Sequence, residues 1–114
     1  MTAPGAARMA EVERTLGVSL PEPVRALYRV SDGWYSAAGE WFVIWPLRRL
    51  VEGNQDAWEL GLPRNLLAFG DDGTGDPFCV DLDDSTDVVV RWNWIDLEVE
   101  PQGSVAAFRD EWLR

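Results

Sequence analysis

Residues 69–82 read Phe69-Gly-Asp-Asp-Gly-Thr-Gly-Asp-Pro-Phe-Cys-Val-Asp-Leu82, an aspartate- and glycine-rich stretch set between two apolar runs. Aspartate bonds neighbouring backbone N–H groups and glycine accepts positive φ, so the middle of this segment predicts a turn at 70–77. A short strand at 66–69 and a second at 78–82 then form a hairpin around it. Downstream, Val88, Val90, Trp92 and Trp94 alternate with Val89, Arg91 and Asn93, which predicts a half-buried strand over about 87–94. A further strand at about 96–100 is expected to end at Pro101. Ser104 suits an N-cap, and Val105, Phe108 and Trp112 mark one face of a closing helix.

Upstream of the hairpin, residues 40–45 combine aromatic and β-branched side chains, with Trp41, Val43 and Trp45 on one face and Phe42 and Ile44 on the other. Both faces are apolar, so this strand is either central and covered twice or offers one face for binding. A helix over 47–60 carries Leu47, Leu50, Val51, Ala57 and Trp58, with an interruption expected near Gly53-Asn54. Further back, Leu20-Pro-Glu-Pro-Val-Arg-Ala-Leu-Tyr-Arg-Val-Ser-Asp-Gly-Trp34 places Pro23 in the first turn of a helix bearing Val24, Leu27 and Tyr28. Ser31-Asp32-Gly33 ends that helix. Met9, Val12 and Leu16 are helically spaced before Gly17, predicting a first helix at 5–16 behind a frayed tail at 1–4. Helices first, strands in the middle and a helix last predict an α+β fold with a central antiparallel or mixed sheet flanked by the first two helices and the last. Phe42, Ile44, Val90, Trp92 and Phe108 are expected to be buried together. With 114 residues and no linker or repeat, one domain spanning 1–114 is expected.

Taken together, segments 20–34 and 69–82 resemble the SUKH superfamily, which includes Smi/Knr-type cell-wall-regulator domains and many bacterial immunity proteins. The resemblance runs from the paired N-terminal helices through the 69–82 hairpin to the 104–112 helix. It implies a protein that binds and neutralises another protein. It also implies that Gly70-Asp71-Asp72-Gly73 is a chiefly structural hallmark, and that Trp34, which continues the Asp-Gly-Trp motif, anchors its loop.

Composition narrows the function independently. Histidine is absent and all ten basic residues are arginine, so Ser-His-Asp and Cys-His arrangements, a Schiff-base lysine and histidine-ligated zinc are all excluded. The single cysteine, Cys79, lacks the usual activating base and an internal disulfide partner. No catalytic residue, and hence no enzyme, is expected. Twenty acidic against ten basic residues give a formal charge of −10, which repels nucleic acid and speeds association with a basic partner. The same charge also serves plain solubility. No run approaches the roughly 18 apolar residues of a membrane span, and the opening residues lack the apolar core of a signal peptide. A cytoplasmic protein with neither membrane contact nor cofactor is expected.

Asp71, Asp72, Asp76, Asp81, Asp83, Asp84 and Asp87 crowd one part of the sequence. The calcium-loop pattern fails there, because counting from Asp72 the sixth position is Pro77. No metal site is therefore expected, and turn chemistry accounts for many of these residues. As a recognition surface, Asp71, Asp72, Asp76, Asp83, Asp84 and Asp87 can occupy the basic cleft with which a nuclease toxin holds phosphate. Asp83, Asp84 and Asp87 lie outside the hallmark and are the better candidates for specificity. Of seven tryptophans, Trp58, Trp92, Trp94 and Trp112 are assigned to the core by their periodicity. Tyr35 and Trp41 flank a polar loop at 36–40 and are candidate partner anchors, with Tyr35 open to either role. Arg48-Arg49 reads as a solvated helix start. Three functions stay in view: an immunity protein bound to a cognate toxin with a basic surface, an intracellular interaction or regulatory module of the Smi/Knr type, and a two-carboxylate hydrolase for which no pair of residues stands out.

Overall fold

Helix α1 (Ala6–Leu16) stops where expected, because Gly17 takes a left-handed φ of 69° and its N–H bonds Glu13 O. This is a computed structural model, and it describes residues 3–36, 39, 41–84 and 87–113. Extended Pro21 leads into α2 (Glu22–Val30), where Pro23 sits in the first turn and so removes no intrahelical bond. Glu13 joins the two helices, its Oε2 accepting from Leu20 N at 2.8 Å and from the Arg25 guanidinium at 2.6 Å. Val24, Leu27 and Tyr28 form the buried face of α2. The Tyr28 hydroxyl donates to Trp45 O at 2.5 Å, fixing this helix to the end of the second strand.

The strands are β1 (Trp34–Tyr35), β2 (Phe42–Ile44), β3 (Leu66–Asp71), β4 (Pro77–Asp81), β5 (Val88–Asn93) and β6 (Glu98–Ser104), with α3 (Leu47–Glu59) between β2 and β3 and α4 (Val105–Trp112) last. They form one sheet in sequence order, every neighbouring pair antiparallel. The architecture is α+β, as expected. Strands β3 and β4 are buried almost throughout, so apolar groups cover both of their faces. Phe108 of α4 packs edge-on against Phe69 and Phe78, at ring separations of 5.9 and 4.8 Å, and Trp112 meets Phe78 at 4.9 Å. Ser104 caps α4 by accepting from Ala107 N. Helix α4 contacts β5 and β6, α3 contacts β3, and α1 packs on α3. Among the described residues, no helix is long and apolar enough to cross a membrane.

Several local expectations are corrected. Helix α3 runs unbroken through Gly53-Asn54 because Asn54 is a buried bridge. Its amide donates to Leu50 O and Ala68 O, both at 2.8 Å, and its carbonyl accepts from Ala68 N at 2.7 Å. Strand β2 registers with β3 only at Ile44–Gly70, and beyond that point Asn54 and Trp58, whose indole N–H donates to Leu66 O, satisfy the β3 backbone in place of a strand. The expected strand at about 96–100 instead starts at Glu98, after a turn at 94–97, and continues to Ser104, since β6 is the sheet edge and Pro101 there needs no partner on its outer side. A bulge between Val89 and Val90 breaks the predicted alternation: Val89 and Trp92 are buried, whereas Val90 is half-buried. Phe42 is likewise half-buried, because its ring stacks on exposed Tyr35. Trp58, Trp94 and Trp112 are half-buried and pack against the core rather than lying within it. Trp34 and Tyr35 form a strand that the loop reading missed. The turn at 70–77 narrows, as β3 extends to Asp71 and β4 starts at Pro77. The expectations for residues 1, 2, 37, 38 and 40 lie outside the described residues.

Candidate functional site

The two motif segments converge on the same structural junction. Asp32 Oδ1 accepts from Leu47 N at 2.7 Å, satisfying an otherwise orphaned donor in the first turn of α3. Ser31 donates to Gly33 O at 2.8 Å, holding the intervening turn. The Asp-Gly pair therefore anchors the start of α3 from 15 residues away. On the β3 side, a Cβ at position 70 would stand 1.8 Å from Val43 O, so only glycine lets β2 approach there.

The acidic turn between β3 and β4 uses its carboxylates internally. Asp71 accepts from Trp45 Nε1 at 2.9 Å and from Gly73 N at 2.8 Å. Asp72 accepts from the Thr74 backbone N–H at 3.0 Å and the Thr74 hydroxyl at 2.7 Å, and its second oxygen lies 3.2 Å from the Arg91 guanidinium. Arg91 also reaches Glu100. Asp76 accepts from Trp94 N at 3.3 Å, tying the turn to the β5–β6 hairpin. Trp41 lies over Gly73 and donates to Asp71 O, so its half-buried indole holds the turn down. The structure thus gives Asp71, Asp72, Asp76 and Trp41 architectural partners.

The remaining candidates point outward. Asp83, Asp84 and Asp87 are exposed in the β4–β5 connection, beyond Asp81, whose carboxylate accepts from Asp83 N and Asn65 Nδ2. Tyr35 is 53% exposed on the edge strand β1, stacked on Phe42 with centroids 4.1 Å apart. Tyr35 and the Asp83–Asp87 group occupy separate surfaces, on β1 and between β4 and β5. Exposed Arg49 lies over the Trp45 ring at 5.0 Å, so this half of the basic pair stacks on an aromatic face at the helix start.

A cleft of about 300 Å3 opens between α3 and the acidic turn, lined by Trp45, Arg49, Asp56, Leu60, Asp71 and Trp94. A second one beside Trp34, Arg109 and Leu113 measures about 470 Å3. Neither brings together a nucleophile and a base. Cys79 is buried and desolvation pushes its thiol up, so it stays protonated and unreactive. Among the described residues, no three Cys, Asp or Glu side chains group closely enough to hold a metal ion.

Sequence reading overlooked one surface. Ile95, Leu97 and Val99, at the turn of the β5–β6 hairpin, are 91%, 63% and 48% exposed. The signal was present in Trp94-Ile-Asp-Leu-Glu-Val99, where apolar residues continue past the strand into a segment rich in acids.

A comparison with curated proteins returns no match. Among solved structures, the chain is similar to the crystal structure of a protein from Pseudomonas syringae pv. tomato, at 24% identity with a TM-score of 0.77, covering 99% of this chain and 85% of that one. That likeness concerns the fold. The model of the SMI1 / KNR4 family (SUKH-1) matches residues 5–113, so the Asp32–Gly33 anchor, the Gly70 crossing and the closing helix all fall within it, and the chain belongs to that family.

Proposed function

We infer that this protein is an immunity protein of the bacterial cytoplasm, which binds a cognate polymorphic toxin and neutralises it by covering a basic surface. The observation that carries this reading is the exposed Asp83, Asp84 and Asp87 in the connection between β4 and β5, in a chain of net charge −10. Exposed carboxylates of this kind complement a phosphate-binding cleft and draw its owner in by electrostatic steering. Family membership supports the reading, because the SUKH resemblance extends to immunity proteins. The protein acts by binding rather than by catalysis, without a cofactor, and its charge disfavours nucleic acid as a partner.

The test is to sequence the genes flanking this one, co-express the protein with any secreted toxin domain they encode, and follow association kinetics on an inactivated form of that domain. Growth should be rescued. Replacing Asp83, Asp84 and Asp87 together by asparagine should slow association several-fold at low salt and converge with the parent above roughly 0.5 M, where the Debye length falls to a few Å. An unchanged rate and salt slope in a folded triple variant moves the contact elsewhere. A second reading, an interaction or regulatory module without a toxin partner, is favoured by the regulators for which the family is named. Stable housekeeping partners and no toxin rescue would establish it instead.

A further inference from the structure

The β5–β6 hairpin ends in a feature that its fold does not require. Between Asn93 and Glu98 the chain turns through Trp94-Ile-Asp-Leu97, secured by Leu97 N donating to Asn93 O at 2.7 Å and by Asn93 Oδ1 accepting from Ile95 N and Asp96 N. All of these bonds are made by backbone groups or by Asn93. The Ile95 and Leu97 side chains contribute nothing to them and stand in solvent, with Val99 following. Leu97 is, moreover, the one non-glycine among the described residues with positive φ, at 56°. A leucine gains nothing from that conformation, whereas asparagine or glycine suits it. An exposed apolar side chain kept on strained backbone signals an interaction.

The charges around it say what kind. Asp96 and Glu98 are exposed beside the apolar tip, and the only basic residue of the hairpin, Arg91, is held by Asp72 and Glu100. Asp76 fastens Trp94 from below, so the tip is presented on a stiff base. We propose that Ile95, Leu97 and Val99 form the apolar anchor with which this protein docks into a pocket on its protein partner, a pocket rimmed by arginine or lysine that faces Asp96 and Glu98. A few buried apolar anchors ringed by complementary charge carry most of the affinity of such contacts. This assignment rests on the toxin-binding reading for the identity of its occupant. It adds a surface distinct from the Asp83–Asp87 connection.

The experiment uses the inactivated form of a toxin domain that this protein neutralises on co-expression, titrated against the wild-type protein and against Ile95→Ser, Leu97→Asn and the double variant. Asparagine fits the left-handed backbone, so L97N should melt at or above the wild-type temperature. Its affinity should nevertheless fall roughly 30-fold or more, mostly through faster dissociation. Asp96→Asn with Glu98→Gln should weaken binding mainly at low salt. A folded double variant that binds as the wild type does overturns the hairpin assignment while leaving the toxin reading intact. Failure of the wild-type protein to bind that domain removes the toxin reading and this anchor with it. Concentration-dependent dimerisation abolished by Leu97→Asn, read by analytical ultracentrifugation, overturns the proposal in favour of a second copy as occupant.

Discussion

Replacing Asn54 by leucine probes the contact between α3 and β3. Leucine has a similar branched shape and a higher helix propensity, but it removes all three hydrogen bonds, at 2.7 to 2.8 Å, that asparagine makes there. Asn54 and Ala68 are both fully buried, so the N–H and C=O of Ala68 lose their partners with no water to replace them. Each orphaned group costs about 1–3 kcal/mol, and burial of the leucine side chain returns about 1 kcal/mol or somewhat more. The expected net loss is about 2–4 kcal/mol, a large share of the roughly 5–15 kcal/mol that holds a domain folded. Urea denaturation reads it as a midpoint lowered by about 1–3 M with an unchanged slope. Asn54→Asp should also be destabilising, and less so at acidic pH, where a protonated carboxyl can donate as the amide does. A loss below about 0.5 kcal/mol for Asn54→Leu would refute the claim that this side chain substitutes for a neighbouring strand.

Alkaline pH acts on two buried groups. Burial raises Cys79 and Tyr28 far above their ordinary values, so the folded state keeps protons that the unfolded chain releases. Their contribution to stability is complete below about pH 8 and declines as pH passes first the thiol's and then the phenol's ordinary value, by about 1.4 kcal/mol per pH unit for each group. Tyr28→Phe should flatten that decline above about pH 10 in urea titrations, while costing about 1 kcal/mol at pH 7 through the lost bond to Trp45 O. An equally steep decline in the variant would exclude Tyr28 as a source. Gly70→Ala should lose roughly 3 kcal/mol or more, because its Cβ would meet Val43 O at 1.8 Å on backbone that cannot move without parting β2 from β3. A folded alanine variant within 1 kcal/mol of the parent, roughly one methylene's worth of transfer energy, would show that the crossing is loose.

What the sequence disclosed followed from how local the responsible physics is. Gly17 as a helix stop, Pro23 in a first turn and Ser104 as a cap each act within a few residues, and all three stand where the pattern put them. The helix break at Gly53-Asn54 was misjudged because propensity sees two poor helix formers and cannot see Ala68, 14 residues on. Pro101 ended a strand only on paper, since whether proline is tolerated depends on which strand lies at the edge. The bulge at Val89–Val90 shifted the buried positions by one, an effect invisible to a strict period of two. For the candidate site, composition revealed the acidic crowding, but separating Asp71, Asp72 and Asp76 from Asp83, Asp84 and Asp87 needed the partners Trp45, Arg91 and Trp94. Leu97 escaped notice because an apolar residue in an expected strand looks like core until its neighbours are known, and Ile95 because it fell between two expected strands.

A sheet laid down in strict sequence order has a kinetic consequence. From β3 to β6, each strand finds its partner in the strand made just before it, so ordering one pair requires closure of only a short loop, and chains with such near-neighbour pairings fold fast. The exception is the step from β2 to β3, where α3 intervenes and its Asn54 bonds Ala68 of β3, so that joining the two halves closes a longer loop. Phe69 and Phe78 stay without their ring partner until residues 105–112 arrive with Phe108. A nascent chain halted before that point would present a finished meander with two of its phenylalanines bare, and would be the species most prone to aggregate during synthesis.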